Sequence, residues 1–225
     1  MPPPRKRLDP ADRRAQLLAV GARMFAEHPY EDVLMEEVAQ QAGVSRALLY
    51  RHFPSKHALF AAVYQEAADR LLAETRLDPA DSLLEQLNQG MDVHLDYFVA
   101  NRHAVLAANR VLAGDQVIQT IMNGELDSLR AHLLVGLPIV DAATREAVSG
   151  VLKSWLVFVQ TLVVDWLTKE TCTRDQLRDV CVGAVLGALG PLLPTEPALG
   201  ESASGGSAPG GSAPGGSTPG LSGTP

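Results

Sequence analysis

Arg46 carries a planar fork of N–H donors that fits guanine O6 and N7 as a bidentate pair. Such a pair discriminates against a wrong base by about 1–3 kcal/mol. Its neighbours Ala47 and Leu48 can only touch thymine methyls or exclude other bases. Ser45, directly ahead of them, is a natural N-cap, so these side chains begin a helix. Reading of this kind needs that helix in a major groove, and the preceding residues supply the means. Ala39 lets two helices cross closely, and Gly43, four residues on, stands where a turn needs positive φ. Leu49, six further, points back to a small core with Val38 and Val44. That is the spacing of a helix-turn-helix, whose second helix reads bases.

The identities go beyond the generic motif. Ala42-Gly43-Val44-Ser45, Leu49-Tyr50-Arg51-His52-Phe53, Ser55-Lys56 and Leu59-Phe60 resemble the tetracycline-repressor (TetR) family. Upstream, Leu17, Leu18, Phe25 and Ala26-Glu27 running on to Tyr30 fit that family's first helix, so the resemblance covers residues 11–62. It implies that Ser45, Tyr50, His52 and Lys56 meet phosphates and fix register, while Arg46, Ala47 and Leu48 face bases. The chain departs from the family at Val33 and Leu34, where Thr and Ser are common and one of them caps the second helix. Asp32 is then expected to take over that cap. Leu48 replaces a small or polar residue, and His28-Pro29 stands where glycine is frequent.

The chain has 225 residues, 46% hydrophobic and 20% charged, ample for a buried core. No continuous apolar run reaches the ~18–20 residues of a membrane span, and no apolar segment follows the basic N-terminus. A cytoplasmic protein with no membrane partner is expected. The net charge of −7 argues against nucleic acid until its distribution is read: residues 1–60 hold 9 Lys/Arg against 7 Asp/Glu, residues 61–225 hold 10 against 19. Positive charge therefore gathers where DNA is expected. Arg5-Lys6-Arg7 reads either as a solvated tail or as an arm on phosphates. Cys172 and Cys181 match no metal spacing, so no metal or cofactor is expected, and Cys181 reads as a small core residue.

Helical periodicity runs throughout, without strand alternation. It predicts an all-α fold of about nine helices: a three-helix head followed by a helical bundle. The helices span about Pro10–Glu27, Val33–Gln41, Ser45–Arg51 and Lys56–Thr75, with a break at Asp78-Pro79-Ala80-Asp81. Ser82-x-x-Glu85 and Thr173-x-x-Gln176 have the form of capping boxes opening helices five and nine. Asn101, Asp115 and Asp141 open helices six, seven and eight, and Pro138 separates the last two. The expected division is a disordered basic arm (1–10), a helix-turn-helix domain (11–56), an effector-binding and dimerisation domain (57–194) and a disordered Gly/Ser/Pro tail (195–225). That tail repeats a five-residue unit from Gly205, which cannot bury enough apolar surface to offset chain entropy.

The resemblance also implies a homodimer on a palindromic site in double-stranded DNA, most simply as a repressor released by a small organic effector. Helices eight and nine offer Leu156, Val159, Leu162, Val163, Val180 and Ala184 to the partner copy. Gly183, Gly187 and Ala188 would let helices approach closely. The effector cavity, in the family between helices four and eight, is expected from Met91, Phe98, Met122, Trp155 and Phe158, with His94, Asn109 and Arg110 as polar groups. Such a lining favours a mostly apolar molecule. An enzyme is not expected: no nucleophile–base pair, phosphate-cradling loop or carboxylate dyad stands out. The other reading is a helical small-molecule-binding protein with a degenerate helix-turn-helix, which Val33 and Leu34 favour.

Overall fold

Pro10, at the first position of a helix where its missing N–H costs nothing, follows Asp9, whose Oδ1 accepts from Ala11 N at 2.6 Å. Together they start α1 (Pro10–Glu27), so Asp9 and Pro10 belong to the head rather than to an N-terminal arm. The computed structural model describes residues 9–75, 81–137, 139 and 141–193. Expectations for Arg5-Lys6-Arg7, Asp78-Pro79-Ala80, Pro138 and the tail after 194 lie outside the described residues. All the described ones fall in one unit, Met1–Pro194.

Pro29 drives His28 into an extended conformation (φ −130°, ψ 148°) and ends α1. A single 3-10 turn, Tyr30–Asp32, leads to α2 (Met35–Gln41). Leu34 occupies the N-cap of α2 without any side-chain bond, so Asp32 does not take over the cap. Asp32 lies inside the preceding turn, too early in the chain to reach the free amides. Gly43 adopts φ +62°, the left-handed conformation that turns the chain into α3 (Arg46–His52). Ser45 Oγ accepts from Leu48 N at 3.2 Å and Ser55 Oγ from Ala58 N at 3.0 Å, opening α3 and α4 (Lys56–Glu74).

The head core gathers Leu17, Met24, Phe25, Val38, Leu49, Leu59 and Phe60, all essentially inaccessible to water. At Gly21 α1 comes so close to α4 that an added Cβ would lie 3.2 Å from Leu59 Cδ1. The same apolar cluster runs on to Ala104, Ala108, Ile118 and Met122, so the head is fused to the bundle.

The bundle begins with α5 (Leu83–Ala100), opened by the Ser82/Glu85 capping box with both reciprocal bonds in place. Asn101 does not cap the next helix with its side chain, which instead donates to Tyr97 O at the end of α5 (2.8 Å). α6 (Arg102–Leu106) passes into a π-helical turn, Ala107–Val111, closed by Leu112 N on Ala107 O at 2.9 Å. Asp115 then caps α7 (Gln116–Val135) and Asp141 caps α8 (Ala142–Lys169). Glu170 takes a left-handed conformation (φ 48°) at the corner, and the Thr173/Gln176 capping box opens α9 (Arg174–Leu189). Arg174 and Arg178 bind Asp92, and Arg174 also binds Asp96, tying α9 to α5.

α8 is the bundle's central helix, with Val148, Leu152, Trp155, Leu156, Val159, Val163 and Leu167 buried. Lys153, Gln160 and Asp165 interrupt every continuous apolar run, yet an 18-residue window of α8 reaches a mean hydropathy of 1.7. By length and composition that helix meets the requirement for a membrane span, which unbroken apolar runs alone do not reveal. A third of that window is buried, which leaves an apolar outer face. Cys181 is buried with its thiol pushed up to about 11 by desolvation, so it stays a thiol and packs as a small apolar group. Both cysteines are free.

Candidate nucleic-acid interface and ligand cavity

Ser45, Arg46 and Ala47 lie at the start of α3 with Arg46 and Ala47 exposed, while Leu49 on the opposite face is fully buried. α3 is therefore held from behind by the core and presents its N-terminal turn outward. Gln16 Nε2 donates to Ala42 O at 3.1 Å and so braces the turn from α1. Arg46 is not extended: its Nη1 lies 2.9 Å from Glu36 Oε1, and its guanidinium sits 5.3 Å from the centre of the Tyr50 ring. Both are surface contacts that base contact can displace at small cost. Leu48, Tyr50 and His52 are half-buried.

Lys56 lies elsewhere than a free phosphate-binding lysine would. Its Nζ donates to the carbonyls of Tyr30 (2.8 Å) and Glu31 (3.0 Å) and rests 4.6 Å from the centre of the Tyr30 ring. Two of its three N–H bonds thus secure the turn before α2, leaving one for any outside acceptor. Leu34, 50% exposed, gives this surface an apolar spot at the end of α2.

A second site lies in the bundle, where side chains from α4, α5, α7 and α8 surround a cavity of about 80 Å³. That is room for two or three waters at the ~30 Å³ each takes in the liquid. Met91, His94, Phe98, Asn109, Met122 and Trp155 line it, as their helical positions suggest. Arg110 does not; it lines a separate groove between α7 and α8 with Gln119, Asn123 and Asp165. Phe158 is also absent from the cavity and is 41% exposed on the outer side of α8.

The assignment of α8 to a partner face needs the matching correction. Leu156, Val159 and Val163 are buried and line the cavity, and Leu162 is half-buried. Because α8 is apolar around most of its circumference, its pattern does not fix which side faces in. The outward residues are Val157 (47% exposed) and Phe158, with Ser154 and Thr161 beside them. On α9, Val180 (54% exposed), Gly183, Ala184, Gly187 and Ala188 do face outward. A Cβ added at Gly150, Gly183 or Gly187 would meet open space.

The cavity contains further polar groups that sequence reasoning missed: Tyr64, Glu125, His132 and Gln160. Glu125 had a readable signal, being a lone charge three residues after Met122 and four before Leu129 on the inward face of α7. Burial pushes its carboxyl up to about 7. Burial also raises the Tyr64 phenol well above its ordinary range and lowers His94, keeping its ring neutral. His94 Nδ1 donates to Gly90 O at 2.8 Å, which leaves Nε2 as a buried acceptor without a partner. Asn109 Nδ2 donates to Val105 O (2.9 Å) and accepts at Oδ1 from Gln160 Nε2 (2.8 Å).

Tyr64 also ends an aromatic row along α4. Its ring stacks on Phe60 at 5.9 Å, and Phe60 meets Tyr30 edge-on at 5.3 Å. Tyr30 in turn lies under Lys56. Packed rings therefore connect the head's surface to the cavity wall. His57 on α4 and Asp115 at the start of α7 form a second head-to-bundle contact at 3.0 Å. Among the described residues no cluster of His, Cys, Asp or Glu could hold a metal ion.

Comparison with known proteins accords with this geometry. The sequence profile of bacterial regulatory proteins of the tetR family matches residues 17–63, from the middle of α1 into α4. The transcriptional activator FasR of Mycolicibacterium smegmatis is 41% identical over 70 residues, 31% of this chain and 32% of FasR. The transcriptional regulator RutR of Escherichia coli O157:H7 is 30% identical over 122 residues, 52% of this chain and 56% of RutR. The chain thus spans about a third of one of these relatives and just over half of the other. A tetR-family transcriptional regulator from Streptomyces coelicolor shares the fold, with a TM-score of 0.74 at 22% identity over 82% of this chain and 83% of that one.

Proposed function

We propose that the chain is a member of the tetR family of bacterial regulatory proteins, whose profile matches its residues 17–63, and that it is a homodimeric, ligand-responsive transcriptional regulator that reads a two-fold symmetric operator in double-stranded DNA. The observation that carries this reading is the Ser45-capped helix, held from behind by Leu49, with Arg46 and Ala47 outward. Arg46 leaves Glu36 to pair with guanine. Ser45, Tyr50 and His52 fix the register on phosphates, and Lys56 adds its one remaining N–H. Leu48 and Ala47 shape the surface against the bases. The head is residues 9–56, and the dimerisation and effector domain is 57–194.

One reading helix buries too little surface for tight specific binding, so two copies must act together. The outer faces of α8 and α9 are where they meet. Val157, Phe158 and Val180 supply apolar area, and Gly183, Ala184, Gly187 and Ala188 allow the helices to pack closely. This arrangement gives α8's exposed apolar side a cover in the cytoplasm and explains its membrane-like composition.

A small, mostly apolar effector enters the cavity and, being larger than about 80 Å³, pushes its walls apart. Tyr64 is one of those walls and stands on α4, the helix that also carries the head core. Movement of α4 alters the spacing of the two reading helices and lowers operator affinity; a tenfold loss needs ~1.4 kcal/mol of preference between the states. A dimer on a promoter obstructs polymerase without further surfaces, so repression is the simplest output.

The test is selection from a random duplex library by the purified chain at near-physiological salt. A two-fold symmetric site with guanine at the Arg46 position is expected. Leu34 and the missing cap on α2 favour a second reading, a ligand-binding protein with a degenerate head. Absence of any enriched sequence from a dimeric sample would establish that one.

A further inference from the structure

We propose that the ligand of the bundle cavity is an organic amine, an apolar skeleton ending in a nitrogen that donates hydrogen bonds, rather than a carboxylate or a neutral lipid. The inference rests on the cavity being the effector site and names the chemistry of what fills it. Its basis is the balance of donors and acceptors on the walls.

The donor nitrogens of Trp155, Asn109, Gln160 and His94 each make at least one bond, and Asn109 Nδ2 and Gln160 Nε2 each keep a second N–H. Trp155 Nε1 donates to Cys181 O at 2.8 Å, Asn109 Nδ2 to Val105 O and Gln160 Nε2 to Asn109 Oδ1. His94 Nδ1 donates to Gly90 O, and Thr75 Oγ1 donates to Leu71 O at 2.8 Å. Two acceptors are left open. His94 Nε2 is buried without a partner, and among the described residues no group hydrogen-bonds the Glu125 carboxyl, on which burial alone acts. The Tyr64 hydroxyl and the His132 ring carry both capacities.

No lysine or arginine lines the cavity. A carboxylate ligand would bring only acceptors beside the open ones of His94 and Glu125, and would meet Glu125 as a like charge. An alkane-like or ester ligand would leave the buried His94 Nε2 unpaired, at the cost such groups carry. An ammonium or amine supplies the missing N–H bonds to His94 Nε2 and Glu125, and its charge offsets that of the carboxylate. Glu125 also lines an outer groove between α4 and α7 with Asp69, again without a cation among its walls, so an approaching cation meets acidic groups first. The apolar skeleton then lies among Met91, Phe98, Met122, Leu129 and Val159.

Three ligands of one shape separate these chemistries: 4-phenylbutylamine, 4-phenylbutan-1-ol and 4-phenylbutanoate, titrated into the full-length chain by calorimetry at pH 7.5. The amine is expected to bind at least tenfold more tightly than the alcohol, and the carboxylate more weakly than either. Glu125→Gln should lose the preference for the amine and Glu125→Asp should keep much of it. If the Gln variant fails to fold, the wild-type comparison still decides. Tightest binding by the carboxylate, or an amine preference that survives Glu125→Gln, overturns the inference and leaves the effector site standing. Failure of all three to bind or to change operator affinity removes the effector site itself.

Discussion

The head and the bundle of this chain solve opposite problems. On the proposed function the head presents Arg46 in a fixed position to a rigid duplex, and most turns in it are held by a specific device. Gly43 supplies the left-handed bend, Ser45 and Ser55 cap α3 and α4, Gln16 braces the turn, and Lys56 clamps the carbonyls before α2. The bundle must enclose a space and release it, and its walls are interchangeable apolar side chains around a few poorly satisfied polar groups. Specific local devices appear there chiefly at helix ends, as at Ser82/Glu85 and Thr173/Gln176. Positional precision is thus concentrated where the partner is rigid, and tolerance where the occupant is mobile.

The joint between the two regions should be the most sensitive place. Phe60 is fully buried and touches Phe25, Tyr30 and Tyr64. Phe60→Ala should destabilise the chain by about 3–5 kcal/mol, and thermal unfolding followed by circular dichroism should show the whole unit melting earlier. Melting of the head alone, with the bundle unchanged, would mean that head and bundle fold independently.

Next in size is Arg46→Ala, expected to remove about 1–3 kcal/mol of sequence discrimination while leaving non-specific binding nearly intact. Competition between the selected duplex and a scrambled one measures this, and retained preference would place the reading residue elsewhere. Ser55→Ala should cost about 1 kcal/mol by loss of the α4 cap, seen as a shift in the denaturation midpoint. Glu36→Gln should act the other way. Freeing Arg46 from an exposed ion pair should tighten operator binding by less than about 1 kcal/mol in a gel-shift titration, and weaker binding would show that Glu36 positions Arg46.

The bundle's counterpart is a pH effect. Glu125 has its folded-state carboxyl raised from 4.5 to about 7, so the folded chain holds a proton that the unfolded chain releases. Its contribution is present in full below pH 4.5 and is lost as the pH rises through 7. Glu125→Gln should therefore gain stability relative to wild type between those limits and level off above pH 7. A difference independent of pH in chemical denaturation would show that Glu125 is solvated.

These contrasts also explain what was legible in the sequence. Gly43, Ser45, the two capping boxes and the start of α1 at Pro10 are readable because each depends on one residue type at one backbone position. Asp32 failed as the α2 cap because the intervening 3-10 turn has no sequence signature of its own. The π-helical turn at Ala107–Val111 was missed for the same reason. In α8 the apolar residues surround the helix, so Leu156, Val159 and Val163 face inward where a partner face is expected, and Phe158 faces outward where a cavity wall is expected. Tyr64 needed the third dimension, since only packing of α4 against α7 turns its face toward the cavity that Glu125 also lines.

The central claim is that the reading head and the cavity are coupled through α4. Amide hydrogen exchange of the full chain, free and saturated with its selected duplex, tests this without any effector. The account predicts altered protection in the cavity walls, at Met91–Leu95 on α5 and Met122–Leu129 on α7, as well as in the head. Changes confined to residues 9–56 would contradict it.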